Sequence, residues 1–451
     1  MKNLRRIAAG ALAAGMLLAS GCTPAQDTDY QTPDNTIERE MLYLAAYPEY
    51  PKAPTEEGRV TDAQWQSYQK EYDAYREQVD AMRGEWVDES FNGVVEGFAQ
   101  KTVSSILTGA GNENRIYSPF NLFLALSMLT QTTTGSGQEQ LLSLMGVDDA
   151  AYLAEQSKLL WSNFYLDNGI STRRTAASLW LNEGLNFKDD TLKALCEDYH
   201  ASSAVVPLGE PETDRLIGSW LADMTGGVLE NISVKTMPED VMMLYATLYY
   251  ADQWSDKFDE SKTAPDTFTC ADGTEVSIDF LNRETMGGFV SDEGFQAATL
   301  GLKSGSMTFV LPDEGVSIDQ LLADEAFWER VQGNDENAHY GELVWKIPKF
   351  KVESTITLNK TLQALGVTDI FDAGSADFTP LTDSPAWIGQ IRQGAGVELD
   401  ERGVTAAAFT EILYAGAARP DGRCEMILDR PFLFLIHSGG QLMFAGVVNE
   451  V

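Results

Sequence analysis

The stretch Val397–Pro431, VELDERGVTAAAFTEILYAGAARPDGRCEMILDRP, decides how the rest of the chain is read. It opens as a strand pattern that stops at Gly403. A run of small residues follows, Thr405–Ala408, then Phe409, Ile412, Leu413 and Tyr414, and a turn-rich tip at Ala415–Gly422. Beyond the tip, Pro431–Ile436 reads as a strong strand. A structureless loop of this length inside a compact domain is uncommon unless it carries function. Every second residue from Val404 is uncharged: Val404, Ala406, Ala408, Thr410, Ile412, Tyr414, Gly416. The loop's only carboxylate before the tip, Glu411, falls in the other set with Thr405, Ala407, Phe409, Leu413 and Ala415. Side chains alternate faces in a strand. The loop therefore has the pattern of a strand with one face fit for burial, placed where an exposed loop is expected. A solvated hairpin loop with an Ala-rich patch is the plainer reading of the same pattern.

At the amino terminus, Lys2, Arg5 and Arg6 precede a short apolar run, Ile7–Leu18. This is the make-up of an export signal and is too short for a comfortable permanent span. It ends Leu18-Ala19-Ser20-Gly21-Cys22, which resembles the bacterial lipobox. The match implies cleavage before Cys22, lipidation of its thiol, and an exported chain anchored to the bacterial cell membrane or envelope, facing away from the cytoplasm. An ordinary signal peptide with an incidental cysteine is the alternative. The formal charge is −36. Removing Met1–Gly21 takes three basic residues and no acidic ones, so it becomes −39. That argues against nucleic acid and against electrostatic attachment to anionic lipid, and suits a body held by a lipid tether. Cys196, Cys270 and Cys424 are far apart and form no CxxC, so neither a disulfide framework nor a metal site is expected.

Thr23–Glu40 is polar and reads as a flexible linker, and Met41–Pro54, with YPEYPKAP, as irregular chain. Asp62 is a candidate cap for a helix to about Arg83. Its apolar residues Trp65, Tyr68, Tyr72, Tyr75, Val79 and Met82 recur at three and four. Such a stripe either docks a partner or packs on the domain behind it, and packing is the favoured reading. The expected divisions are a signal segment at 1–21, a tether at 22–61, an added amphipathic helix at 62–86 and one domain at 87–451.

Through the body, Asn114, Ser118-Pro119, Leu124-Ala125-Leu126, Gly135, Gln138 and Leu141-Leu142 come in order, followed by the strand Ala176–Leu181. Then follow Ile217–Leu221 with Thr225-Gly226-Gly227, and Leu244–Tyr250 leading to Trp254 and Phe258. Met307–Pro312, Pro348-Lys349-Phe350, Leu362–Phe371 and the hairpin Phe432–Val448 complete the series. Together with Glu401-Arg402-Gly403, the small-residue run and Arg430-Pro431-Phe432, this series resembles the serpins, the serine-protease inhibitors. The resemblance runs from about Asp88 to Val451. It implies an α+β serpin fold with three β-sheets, about eight to nine helices and an exposed reactive-centre loop. The segment before it is an addition.

The resemblance further implies that a target serine protease attacks the loop and is trapped as a covalent acyl complex while the loop inserts into the main sheet. The hinge would comprise Glu401, Gly403, Val404, Thr405, Ala406, Ala407, Ala408 and Thr410. Counting forward from Gly403 places the reactive bond at Ala417–Ala418; counting back from Pro431 points to Pro420, so Arg419 and Tyr414 stay open as alternates. An Ala bait implies an elastase- or subtilisin-like target. A polar cluster beneath the main sheet governs its opening in the family. By position its members here are Ser118, Asn121, where a second Ser is usual, and Gln393, where His is usual. Ala246 stands where Asn is usual. Asn121 and Gln393 carry the groups to restore a buried network, which must be satisfied to be tolerated.

No GxSxG, HExxH or GxxxxGK[ST] occurs, and the only histidines are His200, His339 and His437. No enzymatic activity, cofactor or metal is expected, and the chain is expected to act as a monomer. A non-inhibitory serpin-fold carrier or surface interaction lipoprotein is the alternative.

Overall fold

The computed structural model describes residues 23–24, 41–55, 59–227, 233–334, 336–404 and 422–451. Its strands form two nine-stranded sheets. In chain order, the main sheet consists of β1 (Thr23–Pro24), β2 (Met41–Leu44), β3 (Leu166–Asp167), β4 (Thr172–Asn182), β5 (Ala201–Val206), β6 (Met242–Gln253), β7 (Phe350–Thr357), β8 (Arg392–Leu399) and β9 (Gly403–Val404). Across the sheet the order is β1-β2-β5-β4-β6-β9-β8-β7, with β3 on β4. Only β4 and β5 pair in parallel; β4 and β6 are antiparallel, with Ala177 opposite Ala246.

The second sheet runs Gly422–Ile427, Ala338–Pro348, Glu275–Asp292, Phe295–Gly301, Gly305–Pro312, Phe432–Ser438, Gln441–Val448 and Arg115–Tyr117, with Ala264–Thr269 on Glu275–Asp292. The 18-residue strand Glu275–Asp292 pairs with three others along its length. Two of the three expected sheets are thereby continuous. Phe432–Ser438 and Gln441–Val448 are almost wholly buried, as their unbroken apolar runs require.

Ten α-helices occur among the described residues. Three bear on the site: α1 (Asp62–Arg83), α2 (Glu89–Leu107) and α3 (Pro119–Thr130). Every residue of α3 is buried, because its sequence PFNLFLALSMLT has almost no polar side. Ser118 caps it by accepting from the Asn121 amide, and Pro119 sits in the first turn where no N–H is needed.

Part of the expected linker is in the fold. Met41–Leu44 forms β2 and pairs with both β1 and β5, and Tyr43, Ala45 and Tyr50 join the main core. The cap of α1 is Thr61 and not Asp62: Thr61 Oγ1 accepts from Gln64 N while the Gln64 side chain accepts from Thr61 N, a reciprocal capping box. The stripe on α1 packs inward at its far end, where Val79 is buried and Tyr75 and Met82 rest on the core. At its near end the rings of Trp65, Tyr68, Tyr72 and Tyr75 follow one another at centroid separations of 5.8, 5.9 and 6.0 Å. Cys270 and Cys424 are free thiols. Cys196 is buried in the main core.

Candidate functional site: the hinge strand at the seam of the main sheet

β8 runs into a tight turn at Asp400–Arg402 and returns as β9. The Asp400 carboxylate accepts from the amides of Arg402 (2.8 Å) and Gly403 (3.1 Å), and the Asp400 amide donates to Gly403 O (3.0 Å). Five contacts from outside fix the turn. Trp254 Nε1 donates to Asp400 O (2.9 Å), Trp254 N to Arg402 O (3.0 Å) and Phe258 N to Glu401 O (3.0 Å). Lys349 pairs with the Glu401 carboxylate (3.0 Å), which also accepts from Thr263 Oγ1 (2.9 Å). Burial pushes the Glu401 carboxyl up, but the hydrogen bonds from Lys349, its own amide and Thr263 outweigh it, so it lies below the ordinary range.

β9 lies between β6 and β8. Gly403 is opposite Gln253, and Val404 is opposite Asp252 on one side and Leu399 on the other. Among the described residues no ladder joins β6 to β8 directly; β9 alone bridges them. Val404 is 1% exposed. A Cβ on Gly403 would fall 2.3 Å from Asp252 O and 2.4 Å from Gln253 Cα, so only glycine permits this approach.

Further along the seam the three expected cluster residues come together. Gln393 clamps the start of α3, accepting from Ser118 N (2.8 Å) and donating to Ser118 O (2.9 Å). Asn121 Oδ1 accepts from Thr175 Oγ1 of β4 (3.3 Å), while Asn121 Nδ2 is buried without a partner. Ala246 stands beside it, and the two line the same small void. Tyr245 Oη, Thr247 Oγ1, Gln253 Oε1 and Arg392 Nε, on the strands flanking the seam, are likewise buried without partners. These are side-chain groups on the faces of the two flanking strands.

One part of the site was not anticipated. Asp252, the residue opposite Val404, is fully buried and accepts five hydrogen bonds. Ser171 Oγ (2.8 Å) and Gln253 N (2.9 Å) reach Oδ1; Tyr250 Oη (2.9 Å), Ser304 N (2.7 Å) and Ser304 Oγ (2.8 Å) reach Oδ2. Burial raises its pKa, although these donors act against the rise. Buried Arg173 lies near, donating to Ser438 Oγ (3.0 Å) with its guanidinium 5.3 Å from the Phe164 ring centroid. A carboxylate inside the apolar run LYYADQW was the available signal.

Thr405, Ala406, Ala407, Ala408, Thr410, Tyr414, Ala417, Ala418, Arg419 and Cys22 lie outside the described residues. The chain re-enters at Gly422–Ile427, a strand not anticipated, parallel to Ala338–Pro348 in the second sheet. The hinge and the far end of the loop are thus held on different sheets.

His200 and His437 are both held neutral by burial. His200 is buried, its ring stacked 3.4 Å from Trp161, and burial pushes its pKa down to about 4. Burial also lowers His437. Among the described residues no cluster of His, Cys, Asp or Glu could hold a metal, and no helix is long and apolar enough to cross a membrane.

The family model of the serpins (serine protease inhibitor) matches residues 94–451. The chain belongs to the serpin family. It is 26% identical to plasminogen activator inhibitor 1 of Neovison vison over 370 residues, 78% of this chain and 91% of that protein. It is 26% identical to Serpin-ZX of Arabidopsis thaliana, over 76% of this chain and 94% of that one. Among solved structures, the thermophilic serpin tengpin in its native state superposes with a TM-score of 0.71 at 25% identity, covering 81% of this chain and 96% of that one. The serpin relatives are protease inhibitors rather than enzymes.

Proposed function

We propose that this serpin is a suicide inhibitor of a serine protease with a small specificity pocket, elastase- or subtilisin-like, displayed on a bacterial envelope through a lipid on Cys22. The protease serine attacks the carbonyl of Ala417 and becomes acylated by the loop as the Ala417–Ala418 bond breaks. The freed segment enters the seam between β6 and β8, extending β9. About fifteen residues at about 3.3 Å each would carry the tethered enzyme on the order of 50 Å, distorting its triad and oxyanion hole before deacylation.

The observation that carries this reading is β9 itself. Gly403 and Val404 already stand as a strand in the seam, with Val404 buried. The residues that would follow inward, Ala406, Ala408 and Thr410, are small and uncharged. A charge there would be buried unpaired, at a cost of several kcal/mol.

The test mixes the purified chain with elastase, subtilisin and trypsin. A denaturant-resistant band at the summed mass, with a new amino terminus at Ala418, is expected with elastase or subtilisin. Cleavage in the loop without that band, against all three, would instead favour a non-inhibitory protein. That second reading has one observation on its side: Ala246 leaves Asn121 Nδ2 unpaired in the opening cluster. Metabolic labelling with a radioactive fatty acid tests the anchor; label lost on Cys22→Ser is expected, and an unlabelled parent chain would remove that part of the proposal.

A further inference from the structure

Between α1 and the body lies a cavity of about 720 Å³. Four cationic side chains line it, Arg76 and Arg83 from α1 and Arg173 and Lys303 from the body, against a single carboxylate, Asp80. In a chain of formal charge −36 this is a local reversal of sign. Arg83 and Arg173 appear in no ion pair among the described residues. Burial lowers the Arg173 pKa most and Arg83 adds to it, while Tyr250, Tyr50 and Asp252, one hydrogen bond behind the wall, act against it. Arg173 is 4% exposed and Gln441 3%, and both line the cavity. Arg173 Nε, Arg83 Nε and Gln441 Oε1 are buried without hydrogen-bond partners. Leaving charged donors unsatisfied is costly, and an oxyanion at this place would recover that cost.

We propose that this cavity is a binding site for a small organic oxyanion, with the anion held by Arg83 and Arg173 and a ligand hydroxyl donating to Gln441 Oε1. The volume lies in the range of small-molecule sites. Trp86, whose ring lies 5.7 Å from the Arg83 guanidinium carbon, and Tyr75 offer faces for the ligand's carbon frame. Because the cations come from both sides, a bound anion ties the added helix to the serpin body. The inner wall includes Ser171 and Ser304, both donors to Asp252, so the ligand lies one hydrogen bond from the residue opposite Val404.

The test titrates the full chain with inorganic phosphate and with glycerol 3-phosphate by calorimetry, using choline chloride at matched ionic strength as the control. Both phosphates are expected to bind saturably with a Kd of about 1 mM or tighter, glycerol 3-phosphate the more tightly. Arg83→Gln, on the half-exposed end of α1, should weaken both about tenfold, the value of one charge-assisted hydrogen bond. Arg173→Gln should do the same; where that variant fails to fold, Arg76→Gln with Arg83→Gln supplies the second reading. No saturable binding of either phosphate by the parent chain, or binding unchanged in Arg83→Gln, overturns the proposal.

Discussion

Gln393 of β8 and Ser118 at the head of α3 are joined by two hydrogen bonds, Ser118 N to Oε1 at 2.8 Å and Nε2 to Ser118 O at 2.9 Å. One side chain thereby satisfies both main-chain groups of a residue that is 1% exposed. Gln393→Leu leaves the Ser118 N–H buried without a partner, at about 1–3 kcal/mol, while Ser118 O keeps the Leu122 amide at 3.2 Å. Faster unfolding in denaturant is expected, measured as a rate because the proposed mechanism requires a kinetically held native state. An unchanged unfolding rate would mean that this clamp contributes nothing.

The Lys349–Glu401 pair gives the hinge turn a pH dependence. Glu401 is held below its ordinary pKa, so its contribution is present above the unfolded carboxylate value, about 4.3, and is lost as pH falls through the lower folded value. Lys349 is raised by the hydrogen bond to Glu401, so its contribution is present below about 10.4 and is lost as pH rises through the higher folded value. Lys349→Met should abolish the alkaline limb, shrink the acid one, which then rests on Glu401's own amide and Thr263, and speed amide exchange at Gly403 and Val404 at neutral pH. Unaltered exchange would show that Trp254 and Phe258 hold the turn without the ion pair.

Gly403→Ala tests the close approach of β9 to β6. The added methyl would meet backbone atoms, Asp252 O at 2.3 Å and Gln253 Cα at 2.4 Å, which cannot swing aside as a side chain would. The expected result is loss of β9 pairing, seen as rapid amide exchange at Val404, and a melting temperature lower by several degrees. Protection retained at Val404 would mean that the strand had shifted to accommodate the methyl.

Much of this was legible in the chain. The motif series carried the serpin fold, and position alone brought Ser118, Asn121 and Gln393 to one place. The misses were short or non-local. Met41–Leu44 and Gly422–Ile427 have 4 and 6 residues, too few for a period to stand out, and the second carries Arg423 and Glu425. Thr61 was legible and missed: Gln64 follows it at capping-box spacing. Asp252 could be noticed but not interpreted, because Ser171 and Ser304 lie far from it in sequence and meet it only in the fold.

Asp252→Asn is nearly isosteric and is still expected to destabilise. Each carboxylate oxygen accepts one backbone N–H, Gln253 N at Oδ1 and Ser304 N at Oδ2. An amide has a single oxygen, so one N–H would face an NH2 group, at about 1–3 kcal/mol. The pH effect has the opposite sign to that of Glu401. Burial raises the Asp252 pKa, so its titration favours the folded state below the unfolded value, about 3.9, and this is lost as pH rises through the folded value. Asp252→Asn should remove that acid-side term. Unfolding rates that match the parent at every pH would contradict this account.

The proposed mechanism is most exposed to a pair of substitutions that place one charge on opposite faces of the loop. Thr410 belongs to the uncharged set that begins with buried Val404, and Ala407 to the set that contains Glu411. If the loop extends β9 into the seam, Arg at 410 must be buried there unpaired, whereas Arg at 407 stays on the solvent side. Insertion then slows in Thr410→Arg alone, deacylation overtakes it, and the inhibitor becomes a substrate. The measurement is the number of inhibitor molecules cleaved per protease trapped, by titrating residual activity and by gel. A severalfold rise in Thr410→Arg with little change in Ala407→Arg is the expected outcome. Equal effects of the two would show that the loop's alternation does not direct one face inward, and would remove insertion at β9 as the trapping step.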